Sequence, residues 1–142
     1  VIPVLQEYAV DDVSGRRGDC VRAVIASLLE LPLSDVPHFV QEHADGGRDW
    51  WSHIGEWLAA RRLALYLVDP DVERLAPRPG EFYWASGPSP RGYLGNGVAR
   101  ALHAVVYRDE QLAHDPHPDG GGIVFVNERW AIREQPGGAA GS

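Results

Sequence analysis

The chain has 142 residues, one cysteine and a net charge of −7 at pH 7. One cysteine excludes an internal disulfide, and an acidic chain without a basic block argues against a nucleic-acid backbone or an anionic membrane as partner. With 44% apolar and 23% charged residues it has the composition of one globular domain; no apolar run nears the ~18 residues of a spanning helix and no signal-like start is present, so a cytoplasmic location is expected.

In chain order, residues 1–6 alternate weakly and predict a short strand, and the polar stretch over residues 11–19 predicts a loop. Residues 20–31 predict the most hydrophobic helix. Arg22, Ser27 and Glu30 form its polar arc, apolar residues cover the rest, and Cys20 falls at the border beside Ser27. Asp19 stands at the N-cap position. Leu31-Pro32-Leu33 breaks the helix, and Ser34 offers a cap for at most one further turn before His38 and Phe39. Asp49 is placed to cap a second helix in which Trp50, Ile54, Trp57, Leu58 and Arg61 share a face, with its tryptophans expected on the first helix.

Residues 63–68 predict a strand stopped by Asp69-Pro70-Asp71, residues 77–80 a turn, and residues 81–86 a second strand. Residues 87–100 hold two prolines and four glycines besides Asn96, which predicts a long loop. Residues 102–108 and 111–115 predict a hairpin, residues 116–122 a turn, and residues 123–126 and 130–133 two more short strands. Helices first and antiparallel strands after them is an α+β arrangement. A single domain over residues 1–135 is expected, with 136–142 as a disordered tail.

The chemistry gathers at three residues. Cys20 sits on the first turn of the buried helix, where N–H groups stabilise negative charge, and the thiolate is the form of cysteine that attacks carbonyl carbon. His103 starts the strand His-Ala-Val-Val-Tyr, and Asp115 ends its hairpin partner in Leu-Ala-His-Asp-Pro. Cysteine catalysis needs a base whose imidazolium stabilises the thiolate, and a third group that fixes the ring. A two-residue turn at Asp109-Glu110 would put His103 and Asp115 on opposite faces, whereas a three-residue loop over 108–110 pairs them directly, and the longer loop is the expectation.

A helix-borne cysteine, then a strand-start histidine flanked by small residues, then Asp-Pro at the end of the next strand resembles the papain-like superfamily. The closest pattern is that of the compact bacterial peptidases that cleave bacteriocin leader peptides. The resemblance covers about residues 1–126. It implies a papain-like core with Cys20 as nucleophile, His103 as base and Asp115 as the group that orients it. Such enzymes carry an oxyanion-hole glutamine about six residues before the cysteine; the upstream glutamine here is Gln6, fourteen positions away, which requires residues 7–19 to bulge. The reading is a hydrolase of peptide or related amide bonds with a peptide or protein substrate, no cofactor and no metal. Peptidase, deamidase, isopeptidase and acyl transferase chemistry all share the triad. Trp50, Ser86, Gly87 and Arg91 are the expected substrate-binding residues, with residues 86–92 bordering the cleft.

Two other readings draw on the same residues. His103 with His114, Asp115 and His117 has the donor types of a zinc site, although His114 and Asp115 point to opposite faces of a strand. An inactive papain-like module would instead bind a partner through Trp50, Trp51 and residues 87–100.

Overall fold

The computed structural model describes residues 1–7, 18–47, 49–93 and 100–136. Helices α1 (Cys20–Leu29), α2 (Phe39–Ala44) and α3 (Trp50–Ala59) precede strands β1 (Leu63–Leu67), β2 (Phe82–Tyr93), β3 (Arg100–Arg108), β4 (Gln111–His114) and β5 (Glu128–Glu134). The strands form one antiparallel sheet of order β1-β5-β2-β3-β4, so the class is α+β. Among the described residues no helix is long and apolar enough to cross a membrane.

The centre of α1 is fully buried from Ala23 to Ser27, and the helix packs chiefly on β3. It ends where Glu30 adopts a left-handed φ of 58° and Leu31 N–H bonds back to the Ala26 carbonyl at 2.9 Å, just before Pro32 forbids a further turn. Ser27 does not lie on an exposed polar arc. Its hydroxyl donates to the Ala23 carbonyl at 2.8 Å and accepts the Val4 N–H at 3.0 Å, beneath the N-terminal segment. That segment is not the strand expected of residues 1–6. It is a strap whose main chain bonds to Ser27 and, through Gln6 N–H, to the Pro116 carbonyl at 3.0 Å.

The one further turn expected before His38 is present, and a short helix follows it. A 3₁₀ turn at Leu33–Asp35, with Ser34 inside it rather than capping it, is followed by α2, whose Phe39 is buried and whose first turn is capped by His38 Nδ1 accepting Gln41 N–H at 3.3 Å. Asp49 caps α3 as expected, Oδ2 accepting Ser52 N–H at 3.0 Å. The α3 tryptophans pack against the core cluster that holds Val24, Ile25 and Ala26 of α1, and their ring contacts run to the sheet and α2. Trp51 meets Trp130 and Trp84 of the sheet, with ring centroids 5.0 and 5.6 Å apart, and Trp57 meets Phe39 of α2. Burying an aromatic ring of this size contributes roughly 3 kcal/mol. The late strand β5 enters the middle of the sheet, where Trp130 pairs with both Leu67 and Trp84 and presents its ring to Trp51.

Two strand expectations are corrected. β2 does not stop at Ser86 but runs through Gly87-Pro88-Ser89-Pro90 to Tyr93, still paired with β3. Ser86 and Pro88 direct their carbonyls away from β3, to the N–H groups of Asn127 and Val124. The missing N–H of Pro88 lies on that same side, away from β3, so it costs the β2–β3 ladder nothing, and Pro90 falls in the interval between Pro88 and Tyr93 where the register shifts. Residues 123–126 form no strand and cross β2 through those two bonds. Of the expected long loop, residues 94–99 lie outside the described residues, as do 11–17 of the first loop and 137–142 of the tail.

Candidate active site

β3 and β4 are joined by a two-residue turn, Asp109-Glu110, both residues at positive φ (51° and 61°), with Arg108 paired to Gln111. The expected three-residue loop is therefore absent. Face alternation is restored further along: Tyr107 pairs with Leu112 but Val106 pairs with His114, so Ala113 is an extra residue, a β-bulge. The inserted residue moves Asp115 to the face shared by Val105 and His103. β4 ends at His114, so its pairing with β3 stops before His103.

His103 is 4% exposed, and its Nε2 lies 2.6 Å from Asp115 Oδ1. The Cys20 side chain also acts on the ring, through hydrogen bonding and charge. Asp115 is held on every side: Oδ1 also accepts His117 N–H at 2.8 Å, and Oδ2 accepts Gly122 N–H at 2.7 Å. Burial alone would drive the His103 ring neutral, but the hydrogen bonds with Asp115 and then Cys20 outweigh it and hold the ring up at about 9. Burial likewise pushes the Asp115 carboxyl up, and the His103 hydrogen bond with the two backbone N–H groups outweighs it, leaving the carboxyl below its ordinary value. At neutral pH Cys20 thus faces an imidazolium backed by a carboxylate.

Asp19, directly before Cys20, stands at the N-cap of α1 as its position predicts, and its carbonyl accepts Ala23 N–H at 3.0 Å. Its side chain makes no capping bond to α1; it is buried, accepts Glu7 N–H at 3.1 Å and sits 3.5 Å from the Arg22 guanidinium. The bond to Glu7 brings the two ends of residues 7–19 together. Gln6 is half-buried, one residue from the Asp19 contact and tied by its own N–H to Pro116, the neighbour of Asp115.

The expected substrate-binding residues are already engaged within the protein. Trp50 sets its ring edge-on to Trp51, with centroids 5.4 Å apart. Ser86 Oγ accepts the Trp84 indole N–H at 2.6 Å. Gly87 pairs directly with His103, but the Phe125 carbonyl fills the space where its side chain would be, so that side meets protein instead of a ligand. Arg91 reaches Asp119 Oδ1 at 2.9 Å and braces the turn that follows Asp115.

His114 points away from the triad and binds the Val4 carbonyl through Nε2 at 2.7 Å. Among the described residues no three His, Cys, Asp or Glu side chains converge as a metal-binding group. The sequence reading missed the bulge at Ala113 and the N–H groups of His117 and Gly122. The run Gly120-Gly121-Gly122 signals a turn, yet which of its N–H groups meets Asp115 depends on Gly122 holding φ at 71°. Comparison with family models, with curated proteins and with solved structures returns no match.

Proposed function

We propose that the protein is a papain-like cysteine hydrolase that cleaves a peptide or related amide bond through Cys20, His103 and Asp115. The observation that carries this reading is one buried imidazole with Asp115 at 2.6 Å on Nε2 and the Cys20 side chain as its other partner. That is the geometry in which a cysteine is activated and a base oriented by the same ring.

In the proposed reaction the Cys20 sulfur adds to the carbonyl carbon, and the oxygen takes the negative charge in a hole formed by Cys20 N–H and the Gln6 side-chain amide. His103 donates its proton to the leaving nitrogen as the C–N bond breaks, which leaves a thioester on Cys20. Water then attacks that carbonyl, His103 accepts the water proton, and the C–S bond breaks to release the acid and restore the imidazolium–thiolate pair. Asp115 keeps its charge throughout and fixes the ring. No cofactor enters any step.

Incubation with a panel of peptide, isopeptide and glutamine-amide substrates tests this. The expected result is turnover and a trapped acyl adduct on Cys20, both absent in Cys20→Ala. Turnover that survives Cys20→Ala would overturn the proposal.

A further inference from the structure

The space beside Gly87 is shaped by a constraint that the triad alone does not explain. Gly87 lies opposite His103 in the β2–β3 register, and a Cβ placed on it would stand 1.8 Å from the Phe125 carbonyl oxygen and 3.3 Å from Ile123 Cδ1. Its φ is outside the left-handed region, so close contact, and not backbone conformation, excludes a side chain here. The segment pressed against it is clamped on both sides. Val124 N–H bonds to the Pro88 carbonyl at 2.9 Å and Asn127 N–H to the Ser86 carbonyl at 2.7 Å, one on each side of Gly87. Three residues before Phe125, the same segment begins with Gly122, whose buried N–H holds Asp115 Oδ2.

We infer that Gly87 is a positioning residue: its missing side chain lets residues 122–127 lie flat on β2 and so keeps the Gly122 N–H on the carboxylate that orients His103. A methyl group at 87 must displace the Phe125 carbonyl by more than an ångström, because a Cβ does not approach an oxygen much closer than about 3 Å. The segment lifts, Asp115 loses one of its fixed donors, and its bond to His103 loosens. Any effect on turnover rests on the proposed function, but the geometry itself can be read on the imidazole whether or not the protein hydrolyses anything.

The experiment is an NMR titration of ring-labelled histidine in the wild type, Gly87→Ala and Phe125→Ala, with circular dichroism to establish folding. In Gly87→Ala the His103 midpoint is expected to fall from about 9 toward 6.5, and the Gly122 amide is expected to lose protection from exchange. Phe125→Ala keeps the carbonyl and should leave both unchanged. A folded Gly87→Ala with an unmoved His103 overturns the inference, and so does an equal shift in Phe125→Ala. If Gly87→Ala does not fold, Asn127→Pro decides, since it removes the clamp on the Ser86 carbonyl without adding a group at 87: a lowered His103 midpoint supports the inference and an unchanged one overturns it. A protein that hydrolyses no substrate but shows the Gly87 shift would sink the proposed function and leave the positioning role intact.

Discussion

His103 and Asp115 meet at 2.6 Å because β4 carries one residue more than the facing stretch of β3. The two-residue turn would have set them on opposite faces, and the bulge at Ala113 reverses that. In a strand of period two, one inserted residue changes the face of everything beyond it.

Deleting Ala113 should therefore uncouple Asp115 from His103 while leaving the Asp109-Glu110 turn in place. Turnover is expected to fall by about 10²–10⁴, as for Asp115→Asn, which keeps the shape and loses the charge. The check is kcat/KM for both variants beside their melting temperatures. Near-normal turnover in a folded Asp115→Asn would remove Asp115 from the triad.

Stability should fall as pH rises from about 6.5 through 9. His103 keeps its proton up to about 9 in the fold against an ordinary value of 6.5, so within that window the native chain binds a proton that the unfolded chain has released. Its contribution is complete below 6.5, lost above 9, and on the order of 3 kcal/mol. Asp115 acts in the opposite sense: its depressed value stabilises the fold above 3.8 and that contribution is lost in acid. Urea melts across pH should show the alkaline loss in the wild type and not in His103→Gln. Parallel curves for the two proteins would contradict the assignment.

Alkylation of Cys20 by iodoacetamide reports the same pair from the sulfur side. Near neutral pH the rate is expected to be highest in the wild type, lower in Asp115→Ala, where the ring remains without its orienting carboxylate, and lowest in His103→Ala. Identical rate–pH profiles in all three would leave Cys20 as an ordinary half-buried cysteine.

Glu110→Gly tests which of two opposed effects wins at the hairpin turn. Glycine would relieve the left-handed φ of 61°, worth about 1 kcal/mol. It would also remove the carboxylate that takes the Arg129 guanidinium at 2.6 and 2.9 Å and accepts the buried Tyr83 hydroxyl. A charged hydrogen bond and an orphaned buried donor are each worth roughly 1–3 kcal/mol. A net loss of about 1–5 kcal/mol is expected from denaturant midpoints, and a more stable Glu110→Gly would show that backbone strain dominates.

The local parts of this architecture are legible in the chain. Apolar spacing places α1 and α3, Asp49 is a cap, Asp69-Pro70 ends β1, and Cys20, His103 and Asp115 stand out as the residues proposed for nucleophile, base and orienting acid. These features depend on neighbours within about four residues, which is the range of helical and strand periodicity. What depends on distant neighbours was not legible. Pro88 belongs to a strand because its carbonyl turns to Val124, as that of Ser86 turns to Asn127, rather than to β3. Asp19 stands at the N-cap of α1 but spends its carboxylate on the Glu7 N–H instead of on the helix. The triad itself forms only because Ala113 bulges, and a bulge is settled by the competition between two strands for register: the face of β4 is chosen by what β3, Gly122 and His117 offer Asp115, none of which lies within reach of its local sequence pattern.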